Sequence, residues 1–538
     1  MEAVARDLGA PDAAFVLERP REEHHGDLAT NLALALAKRL RRRPRELADE
    51  IVQRLALPAD VIRKVEIAGP GFVNFFLADG TIAGIIRRVL DAGDQFGRSR
   101  VGAGRRVNVE FVSANPTGPL HVGHGRGAAL GDAIASVLAA TGHEVVRECY
   151  VNDAGVQIDK FAGSLWVRIQ QQVGRGGEIP DGGYHGAYVI ALAERVLADE
   201  GPAFADLPEA DGRARCREIA VADQRREQVE DLDAFRVRFD VVTAESTLYA
   251  DATIDATLAD LATHDMTYEQ DGALWLATSR FGDEKDRVVR KRDGTYTYFL
   301  PDLAYHRLKA ERGFHRAIDV WGADHHGYVA RMTAALTGLG LPADFFAVVL
   351  VQLVKVMRHG DEVRFSKRSG DFVTLRDLYE ETGVDAARYF FLARRGDAQF
   401  VFDIDLATKQ SEENPVYYVQ YAHTRMAGIL RHAGVDPDAV RQGAFDPTAL
   451  SQRAEADLMK GLAEYPAVVA KAAEALEPHR IIVYLEELAR LVNAWYHHHR
   501  VLGEPAPVER ARLALARAAQ VVLANGLTLL GISAPERM

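Results

Sequence analysis

The period at which apolar residues recur changes several times along the chain, and the changes mark out three regions. Through the first hundred residues helical and strand-like patterns alternate. "GDLATNLALALAKRLRRRPRELADEIVQRLA" repeats its apolar residues at helical spacing, with Asp27 suited to the first turn. "KVEIAGPGFVNFFLA" predicts a strand, a Gly-Pro-Gly turn and a second strand. Together these predict a small α+β domain over residues 1–104. From Val107 the pattern becomes α/β. "RRVNVEFVSAN" puts Val107, Val109 and Phe111 on one strand face, and a turn follows through Pro116, Gly118 and Pro119. The next helix carries Leu130, Ile134, Val137 and Leu138 at i, i+4, i+7 and i+8 and stops at Gly142. "HEVVRECYV" is the following strand, which completes a βαβ unit with parallel strands and a right-handed crossover.

The second half of that sheet comes much later. "HRAIDVWGADHHGYVARMTAAL" is again strand, loop and helix, and "FFAVVLVQLVKVM" is one more strand. The stretch between holds helical runs such as "YVIALAERVLADEG" and the strand-like "GALWLAT". The pattern therefore predicts a split Rossmann-like α/β domain over residues 105–398, interrupted by an insertion at about 158–290. From residue 399 to 538 the period is helical almost throughout, which predicts an α-helical bundle. The whole is a multidomain α/β protein with no internal repeat.

Composition narrows the setting. A chain of 538 residues with 48% hydrophobic and 26% charged residues has the balance of a globular protein with several domains. No apolar run approaches a bilayer span, and "MEAVARDLGAPD" lacks the basic start and apolar core of a signal peptide, so no membrane partner is expected. Cys149 and Cys216 stand far apart in no ligand-like spacing, which argues against a disulfide framework or zinc finger and for a cytoplasmic location. The net charge of −12 disfavours unspecific nucleic-acid binding, although local basic runs ("KRLRRRPREL", "VVRKRDG") leave room for a basic face.

The chemistry concentrates in "NPTGPLHVGHGRG", residues 115–127. As a metal site the loop is poor, because zinc wants a third or fourth ligand beyond His121 and His124 and the neighbours are Asn115, Thr117 and Arg126. As a phosphate cradle it is well placed, at the carboxyl end of the first strand and feeding a helix N-terminus. Gly123, Gly125 and Gly127 remove side chains, so a nucleotide could approach closely, and imidazole N–H groups at His121 and His124 could donate to phosphate oxygens. A plain βα turn with satisfied histidines remains the bland alternative. The second element tips the balance. "VRFSKRSGDFVTL" follows a strand, and its centre (Phe365, Ser366, Lys367, Arg368) is small, basic and flanked by Gly360 and Gly370. Such a loop can bring Lys367 onto the β- and γ-phosphates of ATP.

These two elements resemble the HIGH and KMSKS signatures of class I aminoacyl-tRNA synthetases. The wider strings "EFVSANPTGPLHVGHGRGA", "YVNDAGVQ", "WGADHHGYV", "NPVYYVQYAH" and the terminal "APERM" are similar to those of arginyl-tRNA synthetases, and the similarity spans nearly the whole chain. The second signature departs from the pattern, with Arg364 and Phe365 for Lys and Met, but keeps Ser366 and Lys367. Some family members place a lysine just before the first signature, where this chain has Gly118, so the lysine role falls on Lys367.

The resemblance implies a ligase that activates L-arginine with ATP (as its Mg²⁺ complex, without zinc) and transfers it to tRNA(Arg), as a monomer. It implies catalysis by His121, His124 and Lys367 and ATP contacts from His121, Gly123, His124, Gly125, Ser366, Lys367 and Arg368. Glu110, Ser113, Asn115 and His121 are implied on the amino and backbone side of arginine, and Tyr298 and Asp302 on the guanidinium. His325 or His326 is implied in the pocket, the choice between them being open. For tRNA the implied contacts are Phe72 and Asn74 in an N-terminal tRNA-binding domain, with Tyr421, Tyr496 and Met538 in an anticodon-binding bundle. Tyr421 and Tyr496 serve equally well as packing residues. Two other readings stand beside this one: a small nucleotidyltransferase with an HxGH loop, and a tRNA-binding paralogue without catalysis.

Overall fold

Val107, Asn108 and Val109 are all buried, the mark of a strand covered on both faces, and they lie at the centre of a five-stranded parallel sheet. The computed structural model describes residues 1–538 except 19, 21, 154 and 364–371. Across the sheet the strands run Phe346–Val351, Arg316–Gly322, Arg106–Glu110, Glu144–Val151 and Val241–Ala244, every neighbouring pair parallel. The first strand in sequence thus lies between the second and the fourth. Strand order reverses between Arg106–Glu110 and Arg316–Gly322, and a crevice opens outside their carboxyl ends. Helix Val122–Ala140 packs on this sheet. Gly131 makes the approach possible, since a Cβ there would come within 2.2 Å of the Phe111 ring.

The expected insertion is not continuous. Helices Val156–Gln172, Ala187–Glu200 and Glu209–Ala234 form a helical unit with its own core around Phe161, Leu165 and Trp166. The chain then returns to the central sheet as the edge strand Val241–Ala244 before it leaves again for a small antiparallel sheet, which includes the expected strand Ala273–Leu276. "FFAVVLVQLVKVM" is likewise two strands. Phe346–Val351 belongs to the central sheet and Val354–Arg358 to a separate one with Phe400–Asp403, and the exposed Leu353 lies at the break.

The N-terminal domain pairs Ile62–Ala68 with Phe72–Leu77 as an antiparallel hairpin, as its sequence predicts. Asp27 is not in a helix. It precedes the short strand Leu28–Thr30, its Oδ2 accepts from the Leu77 N–H at 2.8 Å, and its Oδ1 pairs with Lys460 of the C-terminal bundle at 2.5 Å. The helix begins only at Leu32 and ends at Arg41, whose φ of 51° breaks the run before Pro44–Arg54. Helices Pro415–Ala433, Arg453–Ala475, His479–His498 and Ala506–Leu529 form the bundle around the fully buried Trp495. Helix Asp79–Ala92 joins the first domain to it, with Arg87 donating to the carbonyls of Arg441 and Gly443. Cys149 and Cys216 are free and buried, and burial pushes both thiols up to about 12. Among the described residues no helix is long and apolar enough to cross a membrane.

Candidate active site

The histidine loop reaches the crevice as a helix cap. His121 is the N-cap of Val122–Ala140, and its Nδ1 accepts from the N–H groups of Gly123 (3.1 Å) and His124 (3.2 Å). The His124 Nδ1 accepts from the His121 N–H at 3.3 Å, so two imidazoles form a reciprocal capping box. Their rings stack with centroids 3.6 Å apart. With both Nδ1 atoms accepting, the network assigns the proton of each ring to Nε2. Burial lowers both histidines, and the neighbouring His121 helps bring His124 down to about 3. The pair is therefore neutral near pH 7 and offers two Nε2–H donors, as a phosphate site at a helix start requires.

Three nearby residues play parts their sequence positions do not suggest. Arg126 turns away from the loop, is fully buried, and donates to the carbonyls of Gln352, Ala398 and Arg395. It ties the helix to the second half of the domain. A Cβ on Gly125 would come within 2.5 Å of Leu375, and one on Gly123 would crowd the His121 ring at 2.9 Å.

Lys367, Ser366 and Arg368 lie outside the described residues. The segment that follows them is fixed to the histidine loop. Phe372 meets the His121 ring edge-on, the Val122 N–H donates to the Val373 carbonyl, and the Leu375 N–H donates to the Leu120 carbonyl. Lys367 precedes Phe372 by five residues in the sequence.

Two cavities meet in the crevice. One, of about 500 Å³, is lined by Asn115, Thr117, His121, His124 and Phe372, and closed by Tyr184, His185 and Tyr188 of the helical unit. The other, of about 550 Å³, is lined by Asn115, Asn152, Gln157, Glu245, Tyr249 and Tyr298. Asn115 and Gln157 line both, and the Asn115 Nδ2 donates to Gln157 Oε1 at 2.7 Å, which makes this pair the partition. Helix Glu209–Ala234 holds the loop from above, with Gln228 donating to the carbonyls of Asn115 and Gly118, and the Tyr188 hydroxyl donates to that of Thr117.

The second cavity is lined by one carboxylate, Glu245, and the charge of Asp302 reaches it. Glu245 follows the edge strand and is half-buried. Burial raises its carboxyl, and the charges of Asp302 and Asp153 raise it further against the Tyr150 phenol beside it. Asp302, in the first turn of helix Phe299–Glu311, accepts from the Tyr328 hydroxyl at 2.7 Å, and burial raises it also. No lysine or arginine of the described residues forms an ion pair with either carboxylate. Tyr298 stands at the mouth, 79% exposed. Sequence reasoning missed Glu245, Tyr249 and Asn152. A glutamate just after the weak "DVVTA" strand was the available signal.

Glu110 and Ser113 are held by other groups of the protein. Glu110 accepts from Lys309 Nζ at 2.6 Å and from the Ser113 hydroxyl at 2.8 Å, and the Ser113 Oγ in turn accepts from the Tyr150 N–H. Both residues thus belong to one internal hydrogen-bond network. The cluster of Glu110, His306 and Asp319 has metal-like spacing, but the Lys309 ammonium lies in it, 3.0 Å from Asp319. His325 and His326 are both exposed. His325 meets Trp321 edge-on.

Of the expected tRNA contacts, Phe72 is 41% exposed, whereas Asn74 is buried within the N-terminal sheet beside His25. Tyr421 and Tyr496 come together on the bundle with the Arg425 guanidinium 4.4 Å and 5.3 Å from their ring centres, beside a groove of about 650 Å³. The tail is fastened next to it, as His423 and Thr424 both donate to the Pro535 carbonyl, and Met538 ends exposed.

A parallel sheet of this order, with a histidine-capped helix start at its switch point, defines a class I aminoacyl-tRNA synthetase catalytic domain, and the family described as "tRNA synthetases class I (R), catalytic domain" matches residues 86–394. "Arginyl tRNA synthetase N terminal domain" matches residues 2–77, and "DALR anticodon binding domain" matches residues 419–538. The chain is 49% identical to the arginine–tRNA ligase of Syntrophotalea carbinolica over 97% of its length and 94% of that protein's. It is 48% identical to that of Bordetella petrii over 100% and 97%. Its structure aligns with the arginyl-tRNA synthetase of Thermus thermophilus at a TM-score of 0.80, with 26% identity over 100% of this chain and 98% of that one. The chain belongs to the arginyl-tRNA synthetase family.

Proposed function

We infer that the chain is an arginine–tRNA ligase that uses ATP to join L-arginine to the 3′-terminal adenosine of tRNA(Arg). The observation that carries this reading is the pairing of two cavities across the Asn115–Gln157 partition. One is lined by Glu245, whose carboxyl feels the charge of Asp302, with no lysine or arginine of the described residues paired to either, and the other holds two neutral imidazole donors at a helix start. A guanidinium supplies the missing positive charge in the first, and its planar fork suits Asp302 and Glu245. ATP, as its Mg²⁺ complex, lays its phosphates against His121 and His124. The arginine carboxylate then attacks the α-phosphorus, and pyrophosphate leaves with help from Lys367. In the second step the 2′-hydroxyl of the terminal adenosine attacks the activated carbonyl, and AMP departs.

Tyr421, Arg425 and Tyr496 form a cationic, aromatic platform suited to unpaired bases, which favours stacking over a packing role for the tyrosines. A monomer in the cytoplasm belongs to the same proposal, and sedimentation of the purified chain alone and with tRNA tests its first half. Charging of unmodified tRNA transcripts with labelled arginine tests the ligase itself. Charging of tRNA(Arg), and of no lysine- or methionine-accepting transcript, is the expected outcome. Charging with lysine in place of arginine would sink it.

A further inference from the structure

We propose that Lys309 is a positioning residue for arginine, acting through Glu110 and Ser113 on the loop that presents Asn115. The proposal rests on the assignment of Asn115, Glu245 and Asp302 to the arginine cavity. Lys309 lines neither cavity and is wholly buried.

Its setting follows from strand register. Glu110 and Asp319 are direct partners on the adjacent strands at the switch point, so two carboxylates face each other in the interior. Such a pair is repulsive unless a cation joins it. Lys309 Nζ does so, at 2.6 Å and 3.0 Å, over the face of Tyr305. Burial alone would pull the ammonium down, but the two carboxylates hold it above its usual value. His306, one turn earlier on the same helix, donates through Nε2 to Asp319 and through Nδ1 to the Asp302 carbonyl, both at 2.7 Å. His306 thereby ties Asp319 to the backbone of the turn that carries Asp302.

The group reaches two elements beside the arginine cavity. On one side it fixes the helix that carries Asp302, four and seven residues before His306 and Lys309. On the other, Glu110 holds the Ser113 hydroxyl, and the Val112–Ser113 turn has positive φ at both residues, 71° and 39°. A β-branched residue does not hold that conformation unaided. The Glu110–Ser113–Tyr150 bonds pin the turn, and Asn115 follows two residues later. One ammonium therefore sets the distance between the guanidinium wall and the wall that faces the amino end of the substrate.

The test uses the full-length enzyme with Lys309→Met, Ser113→Ala and the double variant, each titrated for active sites. Ser113→Ala removes no buried charge, so it keeps the test decisive if Lys309→Met folds poorly. In both single variants the KM for arginine should rise by about ten- to a hundredfold, while that for ATP changes by less than about threefold. The double variant should be no worse than Lys309→Met, because the residues act in series, and Lys309→Arg should recover part of the loss. An unchanged arginine KM in Ser113→Ala, whatever happens to the melting temperature, would overturn the proposal, as would fully additive losses in the double variant. Wild-type enzyme without arginine-dependent turnover would overturn the assignment of the cavity instead.

Discussion

His121 and His124 cap each other's backbone, each Nδ1 accepting from an N–H at the start of one helix, and this leaves both Nε2–H groups free to serve phosphate. Capping and chemistry therefore reside on different atoms of the same ring. An asparagine at 121 keeps an N-cap acceptor and removes the distal donor. His121→Asn should leave urea unfolding within about 1 kcal/mol of wild type, yet slow adenylate formation by about a hundredfold or more. Equal losses in both measurements would assign the ring to structure alone.

The same burial gives a signed pH dependence. His124 is held near 3 in the folded chain against an ordinary value of 6.5, so between those limits the unfolded chain binds the extra proton. Stability from this site is complete above about pH 6.5 and declines as pH falls toward 3. The drop in unfolding free energy from pH 7 to pH 5 should be smaller in His124→Asn than in wild type, measured by urea denaturation at both values.

Burial raises the carboxyls of both Asp302 and Glu245, and the charge of Asp302 raises Glu245 further. Asp302→Asn and Glu245→Gln should each raise the KM for arginine at least tenfold, about 1.4 kcal/mol per decade. Neither should lower the melting temperature, since removal of an unpaired negative charge relieves repulsion. Calorimetry and steady-state kinetics on the same samples check both halves.

Arg126 stands in the first signature, but its guanidinium faces three carbonyls of the other half of the domain. Arg126→Met leaves them without donors in the interior and should cost about 2–5 kcal/mol of stability. ATP affinity of the folded fraction should stay near wild type.

The parts of the chain with a local period were legible. The hairpin across Gly69–Gly71, the helix through Leu130 and Leu138 and the final bundle follow from spacing alone, because a buried face must repeat at the period of its element. Edge strand Val241–Ala244 was not, since four residues with an exposed valine among them give little alternation. With it went Glu245. The histidines were found because glycine and proline isolate them in a loop. Lys309 and Asp319 were missed because their meaning lies in strand register, which brings together residues far apart in sequence. The Glu110–Lys309 pair was out of sight for the same reason.

The central claim is that one crevice activates arginine with ATP, and arginine-dependent ATP–pyrophosphate exchange measures that step directly. Run with and without tRNA(Arg), the wild-type chain should exchange label with arginine and with no other amino acid. Lys367→Ala should depress the rate by at least about a hundredfold with tRNA affinity nearly unchanged. Absence of exchange under both conditions, or exchange driven by a different amino acid, would contradict it.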